Sequence, residues 1–483
     1  DCHFERALYP INIGDDWQTD DGLTHEVTIS DCELIWCGQI TLGQGSRRVR
    51  ILDNTMECDI VPSVTPLPAI SVDGVDHEIC GNTIRGPTGE HVSVTQTLNS
   101  TYLTITDNTF TSGTIAVEIN NTTLTITSVV IGNNRMHGQS GSYIDVAGTN
   151  ITYLTIRDNV LRGGSGTGVA LDLTSADTST RCTVSGNAVD GGSTYTTGIS
   201  FSNGSGVGDF VEITDNQMTF SAASTTAILV GAESCARVAV SDNTMYSPYT
   251  GINITTSVDT LSVDVDDNRC HTHGSGTVGI TVAAGGGATT PVSVRGNRVV
   301  GTSGGAGGGK GIFIDEVATL HISNNRVNAT TGGIEIDNTG LEFGGCVITG
   351  NHVIAGDNAL EVDASDATGS HSLTISGNYF ESSGGAGEFV VWITGIITTV
   401  TITGNSCRRT NDTDANLRIA GDAANNISMV TIVGNGFHNG TYGIQLANND
   451  AASTYHDANT FSSMATGNDD PGAAATAVPI EST

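Results

Sequence analysis

The chain has 483 residues, and its 51 acidic side chains outnumber the 18 basic ones, which gives a formal net charge of −33 at pH 7. An acidic chain without runs of basic residues is a poor match for a protein that binds nucleic acid or an anionic membrane surface. No apolar stretch reaches the roughly 18 residues that a membrane-spanning helix needs, so we expect no membrane insertion. The first residue is Asp1 and no signal peptide is visible, as in a processed or trimmed product.

One phrase recurs along most of the chain, and its fixed element is an asparagine. Apolar residues stand five and three positions before it, and another stands two positions after it. The 16 asparagines, a mean of 27 residues apart, are Asn54, Asn82, Asn108, Asn134, Asn159, Asn187, Asn216, Asn243, Asn268, Asn297, Asn325, Asn351, Asn378, Asn405, Asn435 and Asn459. Such a period is typical of a solenoid, whose repeats bury their apolar faces by stacking on each other.

Each repeat predicts two or three short strands joined by tight corners. Alternating β-branched residues before the asparagine predict a strand with one buried face. A second strand is predicted where glycine precedes alternating apolar residues, as in 311–315 and 333–337. Asparagine tolerates the left-handed backbone conformation, so we expect it to form the bend itself and to hydrogen-bond up the stack. The fold class is therefore all-β, a parallel β-helix of 16 or 17 rungs with an asparagine ladder.

The repeat divides the chain into three parts. Residues 1–44 hold the period poorly, with Cys32 in the asparagine position of a degenerate copy, and we expect them to cap the open end. Residues 45–465 are predicted to form the β-helix. Residues 466–483 are rich in Ala, Asp and Thr, and we expect a tail or a join to a further module.

The repeat resembles that of the right-handed parallel β-helix proteins of the pectate-lyase-like superfamily, which carry an asparagine ladder at one corner. The resemblance covers roughly 45–465 and implies a right-handed, single-stranded β-helix. Members include polysaccharide lyases, glycoside hydrolases, epimerases, viral tailspikes and passive adhesins, so the fold alone does not select a function. The paired-Asp and Gly-His-Gly set of the pectin hydrolases is absent from this sequence, as is the Asp-Pro-His-Asp of alginate epimerases.

Acidic residues recur on the second strand of three successive repeats. Outward residues at equivalent positions of stacked strands form columns about 4.8 Å apart. The last outward position holds Asp315, Asp337 and Asp363, and the position two residues earlier holds Phe313, Glu335 and Glu361. We assign Glu118, Asp145 and Asp172 to the same column as Asp315.

Stacked carboxylates favour a bound cation such as Ca²⁺, a basic neighbour or a raised pKa on one member. Carboxylates on neighbouring repeats would suit a retaining glycosidase, and those two repeats apart an inverting one. The alternative is a solvated acidic face.

A second candidate column follows the ladder asparagine. Its members on five successive repeats are Arg269, Arg298, Arg326, His352 and Tyr379. Arginine binds carboxylates bidentately and aromatic faces stack on sugar rings, so this column would suit an acidic polysaccharide. Lys310, at the end of the glycine-rich corner 301–310, is a further candidate for ligand binding. The alternative is that the arginines pair with nearby acids such as Asp267.

Histidines and cysteines give weaker indications. Asp264, Asp266, Asp267, His271 and His273 crowd one repeat, but a corner separates the aspartates from the histidines, which argues against a metal site. Cys182, Cys270, Cys346 and Cys407 fall on inward positions and are predicted to be buried. Disulfides among the five cysteines before residue 81 are conceivable in an oxidising compartment, without assigned partners.

We therefore expect a viral tailspike or tail-fibre β-helix that binds host surface polysaccharide and, if it is an enzyme, depolymerises it as a glycoside hydrolase or lyase. The resemblance to tailspikes implies a homotrimer on the virion surface or outside the cell. Acid and base would come from the five carboxylates between Asp315 and Asp363, and Arg298, Arg326, His352 and Tyr379 would hold the glycan. No cofactor is expected apart from a Ca²⁺ ion. A secreted monomeric lyase or hydrolase, and a non-catalytic adhesin or capsid-decorating protein, are the alternatives.

Overall fold

A computed structural model of the chain describes most of its residues. The described residues are 2–5, 10–14, 24–58, 67–86, 89–95, 98–120, 125–147, 150–166, 168–174, 181–192, 194–203, 208–221, 225–232, 235–256, 260–273, 277–284, 290–302, 309–317, 319–338, 344–364, 371–411, 414–420, 427–447, 453–464 and 467–470. Across these ranges the regular structure consists of β-strands without a helix. The chain divides into two compact units: the first contains residues 1–239 and 246–248, and the second contains 240–245 and 249–483.

Three parallel sheets build each unit, and we number them in chain order, starting from the strand that leads into the ladder asparagine. Sheet 1 contains the strands that lead into the ladder asparagines. In the first unit they are Thr28–Ser30, Arg50–Leu52, His77–Cys80, Ser100–Thr106, Ile126–Gly132, Ile151–Arg157, Arg181–Ser185 and Gly208–Thr214. In the second unit they are Val263–Asp266, Pro291–Arg295, Thr319–Ser323, Gly345–Thr349, Ser372–Ser376, Thr399–Thr403, Met429–Val433 and Ser453–Asp457.

Sheet 2 contains the strands that follow the ladder asparagines. In the first unit they are His3–Glu5, Glu33–Ile35, Thr55–Glu57, Thr83–Arg85, Thr109–Thr111, Arg135–His137, Val160–Arg162, Ala188–Gly192 and Gln217–Phe220. In the second unit they are Arg269–His273, Arg298–Thr302, Arg326–Asn328, His352–Ala355, Tyr379–Ser382, Ser406–Arg409, Gly436–His438 and Thr460–Ser462. The strands Cys235–Ser241, in sheet 1, and Thr244–Tyr246, in sheet 2, contain residues of both units.

Sheet 3 completes each coil. Its strands in the first unit are Ile11–Ile13, Ile40–Leu42, Ile70–Val72, Val92–Val94, Val117–Ile119, Ile144–Val146, Val169–Leu173, Thr197–Asn203 and Thr226–Ala232. Its strands in the second unit are Thr250–Thr256, Val278–Ala284, Lys310–Asp315, Ile334–Asp337, Leu360–Ala364, Val391–Gly395, Leu417–Ala420, Tyr442–Ala447 and Gly467–Asp470. A short additional pair joins Thr24–His25 to Ser46–Arg47 in the first unit.

Each coil buries one short apolar layer between the three sheets. In a coil of the second unit, Ile334 and Ile336 on sheet 3, Ile348 on sheet 1 and Val353 on sheet 2 are each at most 2% exposed. Their neighbours in sequence point outward, because successive residues of a strand face opposite sides of the sheet. The predicted inward positions are therefore confirmed, and the outward residues of successive strands form columns.

The asparagine ladder is present within each unit. In the second unit Asn325 Nδ2 donates to Asn351 Oδ1 at 2.9 Å, and Asn351 Nδ2 donates to Asn378 Oδ1 at 3.0 Å. The same oxygens also accept from backbone amides, as in Asn325 N to Asn351 Oδ1 at 2.9 Å. The side-chain amide of each buried asparagine thus forms hydrogen bonds with the coils on both sides. These bonds offset the free-energy cost of burying a polar group in the core. In the first unit Cys32 N donates to Asn54 Oδ1 at 2.9 Å, so Cys32 continues the backbone pattern of the ladder.

The expectation that the ladder asparagine itself adopts the left-handed conformation is wrong. The residue before it does so, with φ of 54° at Asp267, 56° at Asn324 and 64° at Gly377. Asp, Asn and Gly are the residues that tolerate this conformation best. This arrangement leaves the ladder asparagine free to turn its amide inward.

The predicted outer parts of the chain also contain strands that join the three sheets. In the segment predicted to be a cap, Ile11–Ile13 pairs with Ile40–Leu42, and both belong to sheet 3. In the segment predicted to be a tail, Gly467–Asp470 pairs with Tyr442–Ala447. The capping and joining roles themselves stay predictions.

Candidate functional site

Two outward columns of sheet 3 bring the predicted carboxylates together in the second unit. Glu335 lies opposite Phe313 on one neighbouring strand and Glu361 on the other. Asp337 lies in the same way between Asp315 and Asp363. All six side chains are partly buried. Parallel strands are about 4.8 Å apart, so the carboxylates of Glu335 and Glu361 can approach to the separation of a catalytic pair.

The same column continues through two residues that sequence reasoning missed. Trp392 is the register partner of Glu361, and Arg418 is the register partner of Trp392. Phe389, which is 2% exposed, lies 6.0 Å from the Trp392 ring and 4.8 Å from the Arg418 guanidinium carbon. The column therefore runs from an aromatic ring through two carboxylates to a second aromatic ring and a cation.

Lys310 closes the other end of this column. Its Nζ lies 2.7 Å from Glu335 Oε1 and 4.6 Å from the centroid of the Phe313 ring. Lys310 opens the sheet 3 strand that carries Phe313, so its side chain runs along the same face. The structure thus brings together Lys310, Phe313 and Glu335, which the sequence predicted as separate candidates.

Glu361 is a partly buried carboxylate with other acids close by. Burial raises its pKa, and the nearby charges of Glu335, Asp363 and Glu388 raise it further. Asn358 Nδ2 donates to Glu361 Oε2 at 3.0 Å, which partly offsets the rise. A carboxyl group that a hydrogen bond keeps in place, and whose raised pKa favours the protonated form, is suited to general acid catalysis.

Three polar atoms at this face are buried without a hydrogen bond. They are Asp337 Oδ1, Trp392 Nε1 and Arg418 Nε, and each lacks a partner among the described residues. Buried polar atoms in folded proteins are nearly always satisfied, by protein, water or ligand. An acceptor, a donor and a charged donor on three strands of one face therefore suit a ligand rich in hydroxyl groups.

A buried arginine holds the segment that carries Glu388 and Phe389 to this face. Arg409 is fully buried and donates through its guanidinium to the backbone oxygens of Glu388, Gly384 and Gly385. Burial lowers the pKa of Arg409, and Asp414 and Glu388 oppose that shift. Arg409 is a positioning residue, and only the structure reveals it because its partners are loop carbonyls.

Glu118, Asp145 and Asp172 do form a column in the first unit, but its position differs from the prediction. Asp145 pairs in register with Glu118 and Asp172. Asp145 stands between the buried Ile144 and Val146. That is the strand position of Glu335, between Ile334 and Ile336, and not that of Asp337. The prediction aligned the strands by their last residue, whereas the inward residues set the register.

The second predicted column is continuous and lies on sheet 2. Arg269, Arg298, Arg326, His352 and Tyr379 are register partners on five successive strands. The carboxylates lie on sheet 3, so the two columns occupy different sheets. The prediction that the arginines hold the same glycan that the carboxylates cleave therefore requires a ligand that turns a corner of the coil.

The crowded aspartates and histidines are separated as expected. Asp264 and Asp266 lie on sheet 1, where Arg295 pairs with Asp266 at 2.7 Å, whereas His271 and His273 lie on sheet 2. Within the described ranges no three His, Cys, Asp or Glu side chains are arranged to hold a metal ion. In those ranges there is also no helix long and apolar enough to cross a membrane.

Among the described residues, the five cysteines before residue 81 form no disulfide with one another. The four predicted to be inward are at most 1% exposed, as expected: Cys182, Cys270, Cys346 and Cys407. Burial raises the pKa of Cys270 to about 12, so this thiol stays protonated. These cysteines act as small apolar core residues.

A family model described as "Right handed beta helix region" matches residues 93–268 and 197–368. Together the two matches cover 93–368, which is more than half of the chain. The chain belongs to the right-handed β-helix family. The handedness that the resemblance implied is thereby supported. No curated protein matches the sequence.

This β-helix has its carboxylate columns inside the matched range, from Phe313 to Asp363, whereas Trp392 and Arg418 lie beyond it. The family description names a fold and no activity. The chemistry of the sheet 3 face must therefore be argued from its own residues.

Proposed function

We propose that this β-helix binds a surface polysaccharide along the outward face of sheet 3 and hydrolyses it. The observation that carries the proposal is the single register column Phe313, Glu335, Glu361, Trp392 and Arg418. Aromatic rings at both ends of a carboxylate pair provide apolar platforms for sugar rings, and the unsatisfied polar atoms beside them can bind sugar hydroxyls. A stack of strands also presents an extended face, which suits a polymer.

In this proposal Glu361 is the general acid and Glu335 is the nucleophile. Glu361 donates its proton to the glycosidic oxygen while a carboxylate oxygen of Glu335 attacks the anomeric carbon, which releases the shortened chain as an alcohol. Glu361 then takes a proton from a water molecule as that water attacks the anomeric carbon and frees Glu335. A separation of about 5 Å between neighbouring strands corresponds to the retaining class.

The contacts of Lys310 favour hydrolysis over a lyase reaction. A lyase would need a free base to remove a proton next to a carboxylate of the sugar. The Lys310 ammonium is instead in an ion pair with Glu335, where it neutralises the nucleophile between turnovers. The lyase alternative would have to place its base among the arginines of sheet 2.

The biological setting of the proposal is a viral tailspike or another extracellular depolymerase. Its support is the resemblance of the repeat to tailspike β-helices, which implies a homotrimer on the virion surface. Light scattering of the purified protein separates the two settings. A tailspike trimer should have three times the mass of the chain, whereas a secreted monomeric hydrolase should have the mass of one chain.

The test is incubation of the protein with polygalacturonate, dextran and purified bacterial capsular polysaccharides, with measurement of chain length and of absorbance near 235 nm. Shortening without absorbance, and with retained anomeric configuration by NMR, supports the proposal. Shortening with absorbance would indicate a lyase and contradict it. Binding of a polysaccharide without shortening of its chain would contradict the proposed hydrolysis and favour a non-catalytic adhesin.

A further inference from the structure

Three arginines stacked on sheet 2 have no charge partner among the residues that the structure describes. Arg269, Arg298 and Arg326 are exposed and lie directly opposite one another on successive parallel strands. Like charges in this arrangement are destabilising. None of the three forms an ion pair with a described residue.

Other arginines on the sheets of this acidic chain do find carboxylates. Arg50 pairs with Glu78 at 2.7 Å, and Arg181 pairs with Glu212 at 3.3 Å, each across neighbouring strands. Acidic side chains outnumber basic ones 51 to 18 in this sequence, so pairing is the default outcome. A cationic column without carboxylates stands apart from that pattern.

The outward column beside the arginines also lacks acids over these strands. It holds His271, Val300 and Asn328. The pKa of His271 is lowered by burial and, to a smaller extent, by the positive charges of Arg298 and Arg269. The two outward columns of sheet 2 between Arg269 and Asn328 therefore carry positive charge and no carboxylate.

The arginine column continues directly into an aromatic platform. The rings of His352 and Tyr379 are stacked, with centroids 4.7 Å apart and an interplanar angle of 17°. Tyr379 donates its hydroxyl to Glu381, which lies 3.9 Å from Arg408, so the ring is held in place. A line of cations on successive strands, ended by this pair of stacked rings, suits a polymer with regularly spaced negative charges.

We propose that the outward face of sheet 2 from Arg269 to Tyr379 is a second binding site, separate from the sheet 3 face, for an acidic polysaccharide such as a polyuronate. Guanidinium groups on successive strands bind the carboxylates of successive sugars, and the His352 and Tyr379 rings, which stack on each other, border the site at its end. The site does not depend on the proposed hydrolysis.

An acidic glycan fits this face better than a nucleic acid does. Nucleic-acid binding relies on a broad basic surface that releases many counterions, and this chain has a net charge of −33 with one cationic column. A single line of cations matches a single chain of carboxylates, while the surrounding negative charge repels a dense polyphosphate.

The test compares two triple variants in a Glu361→Gln background, which keeps the polymer intact. One variant is Arg269→Gln, Arg298→Gln and Arg326→Gln. The control is Arg85→Gln, Arg135→Gln and Arg162→Gln, which removes the same charge from exposed arginines of sheet 2 in the first unit. Binding of polygalacturonate, dextran and duplex DNA is measured by calorimetry at low and moderate salt.

We expect the first variant to lose roughly 10- to 100-fold in polygalacturonate affinity, with dextran binding unchanged and the control variant near wild type. Replacing the three arginines by lysine should restore only part of the affinity, because lysine cannot bind a carboxylate bidentately. Equal losses in the two triple variants would show a net-charge effect and overturn the proposal. Tighter binding of duplex DNA than of polygalacturonate would overturn it as well.

Discussion

Two acidic columns of this β-helix occupy the same strand position on sheet 3, yet their surroundings differ. In the first unit the column consists of Glu118, Asp145 and Asp172. Its next register partners are Ser93, beside Glu118, and Ser200, beside Asp172. In the second unit the corresponding positions lead from Phe313 through Glu335 and Glu361 to Trp392 and Arg418. The first column is flanked by hydroxyl groups and the second by aromatic rings and cations.

This difference shows that stacked carboxylates alone do not identify a site. Ser93 Oγ donates to Glu118 Oε2 at 3.0 Å, and Thr174 Oγ1 donates to Asp172 Oδ1 at 2.7 Å, so local hydroxyl groups satisfy the ends of the first column. In the second column the nearby Asp337 Oδ1, Trp392 Nε1 and Arg418 Nε stay unsatisfied within the described ranges. The proposed glycan chemistry therefore applies to the second column and not to the first.

The largest expected effect is on catalysis. Glu361→Gln should reduce turnover of the cleaved polysaccharide by about 10²- to 10⁴-fold, because the amide cannot donate the proton that the leaving oxygen needs. Asp145→Asn, in the other column, should leave turnover unchanged. Reducing-end release measures both, and equal losses in the two variants would remove the distinction between the columns.

A smaller effect is expected on glycan binding. Trp392→Ala should weaken binding by about 1–2 kcal/mol, or roughly 5- to 30-fold, through loss of the ring that stacks on the sugar. Tyr153→Ala is the control, because Tyr153 is a 49% exposed aromatic residue on sheet 1 of the first unit. Calorimetry with the uncleaved polymer and Glu361→Gln protein separates binding from turnover. Unchanged affinity in the Trp392 variant would exclude this ring from the binding face.

The first column, through Asp145, should affect the pH dependence of the free energy of unfolding. Burial, with the charges of Asp172 and Glu118, raises the pKa of Asp145 from 3.8 to about 6. The folded state thus binds this proton more tightly, so the stabilisation is fully present below pH 3.8 and is lost as the pH rises through 6. Because the side chain is only partly buried, we expect Asp145→Asn to raise the free energy of unfolding near neutral pH by about 1 kcal/mol.

Urea unfolding of wild type and Asp145→Asn at several pH values measures this effect. The gain should be near zero at about pH 3, should grow between about pH 4 and pH 6, and should stay constant above about pH 6. A gain that is constant over the whole pH range would show that charge on Asp145 is not its cause.

The smallest effect extends the comparison to positive charges. Arg298→Gln should raise the free energy of unfolding by a few tenths of a kcal/mol. The substitution removes the repulsion between the Arg298 charge and the charges of Arg269 and Arg326 on the neighbouring strands. Arg295→Gln makes the same charge change but breaks the pair with Asp266, and it should lower the free energy by about 0.2–1 kcal/mol. Chemical denaturation at low salt measures both. Changes of the same sign would contradict the view that the sheet 2 arginines lack partners.

Sequence reasoning predicted the columns because two periods determine them. Alternation within a strand sets which side chains face outward, and the repeat of about 27 residues sets which strands are neighbours. Glu335, Glu361 and the five members of the arginine column were found in this way. The ladder followed from the same repeat, although the left-handed residue, such as Asp267, was placed one position too late.

The missed residues lie where the repeat varies. Trp392 and Arg418 follow corners between sheets 2 and 3 that differ in length from the earlier ones, so counting from the ladder asparagine does not reach them. The apolar residues on both sides of Trp392, Val391 and Ile393, would have revealed its position. Arg409 could not be predicted, because its burial depends on the carbonyl groups of a loop.

In the proposed function a polysaccharide lies along sheet 3 between Phe313 and Arg418. The most direct test is a crystal structure of the Glu361→Gln protein with an oligosaccharide of the polymer that the wild type cleaves. We predict sugar rings against Phe313 and Trp392, with a glycosidic oxygen within hydrogen-bond distance of residue 361. Sugar density confined to another face, with the sheet 3 column left open, would contradict the account.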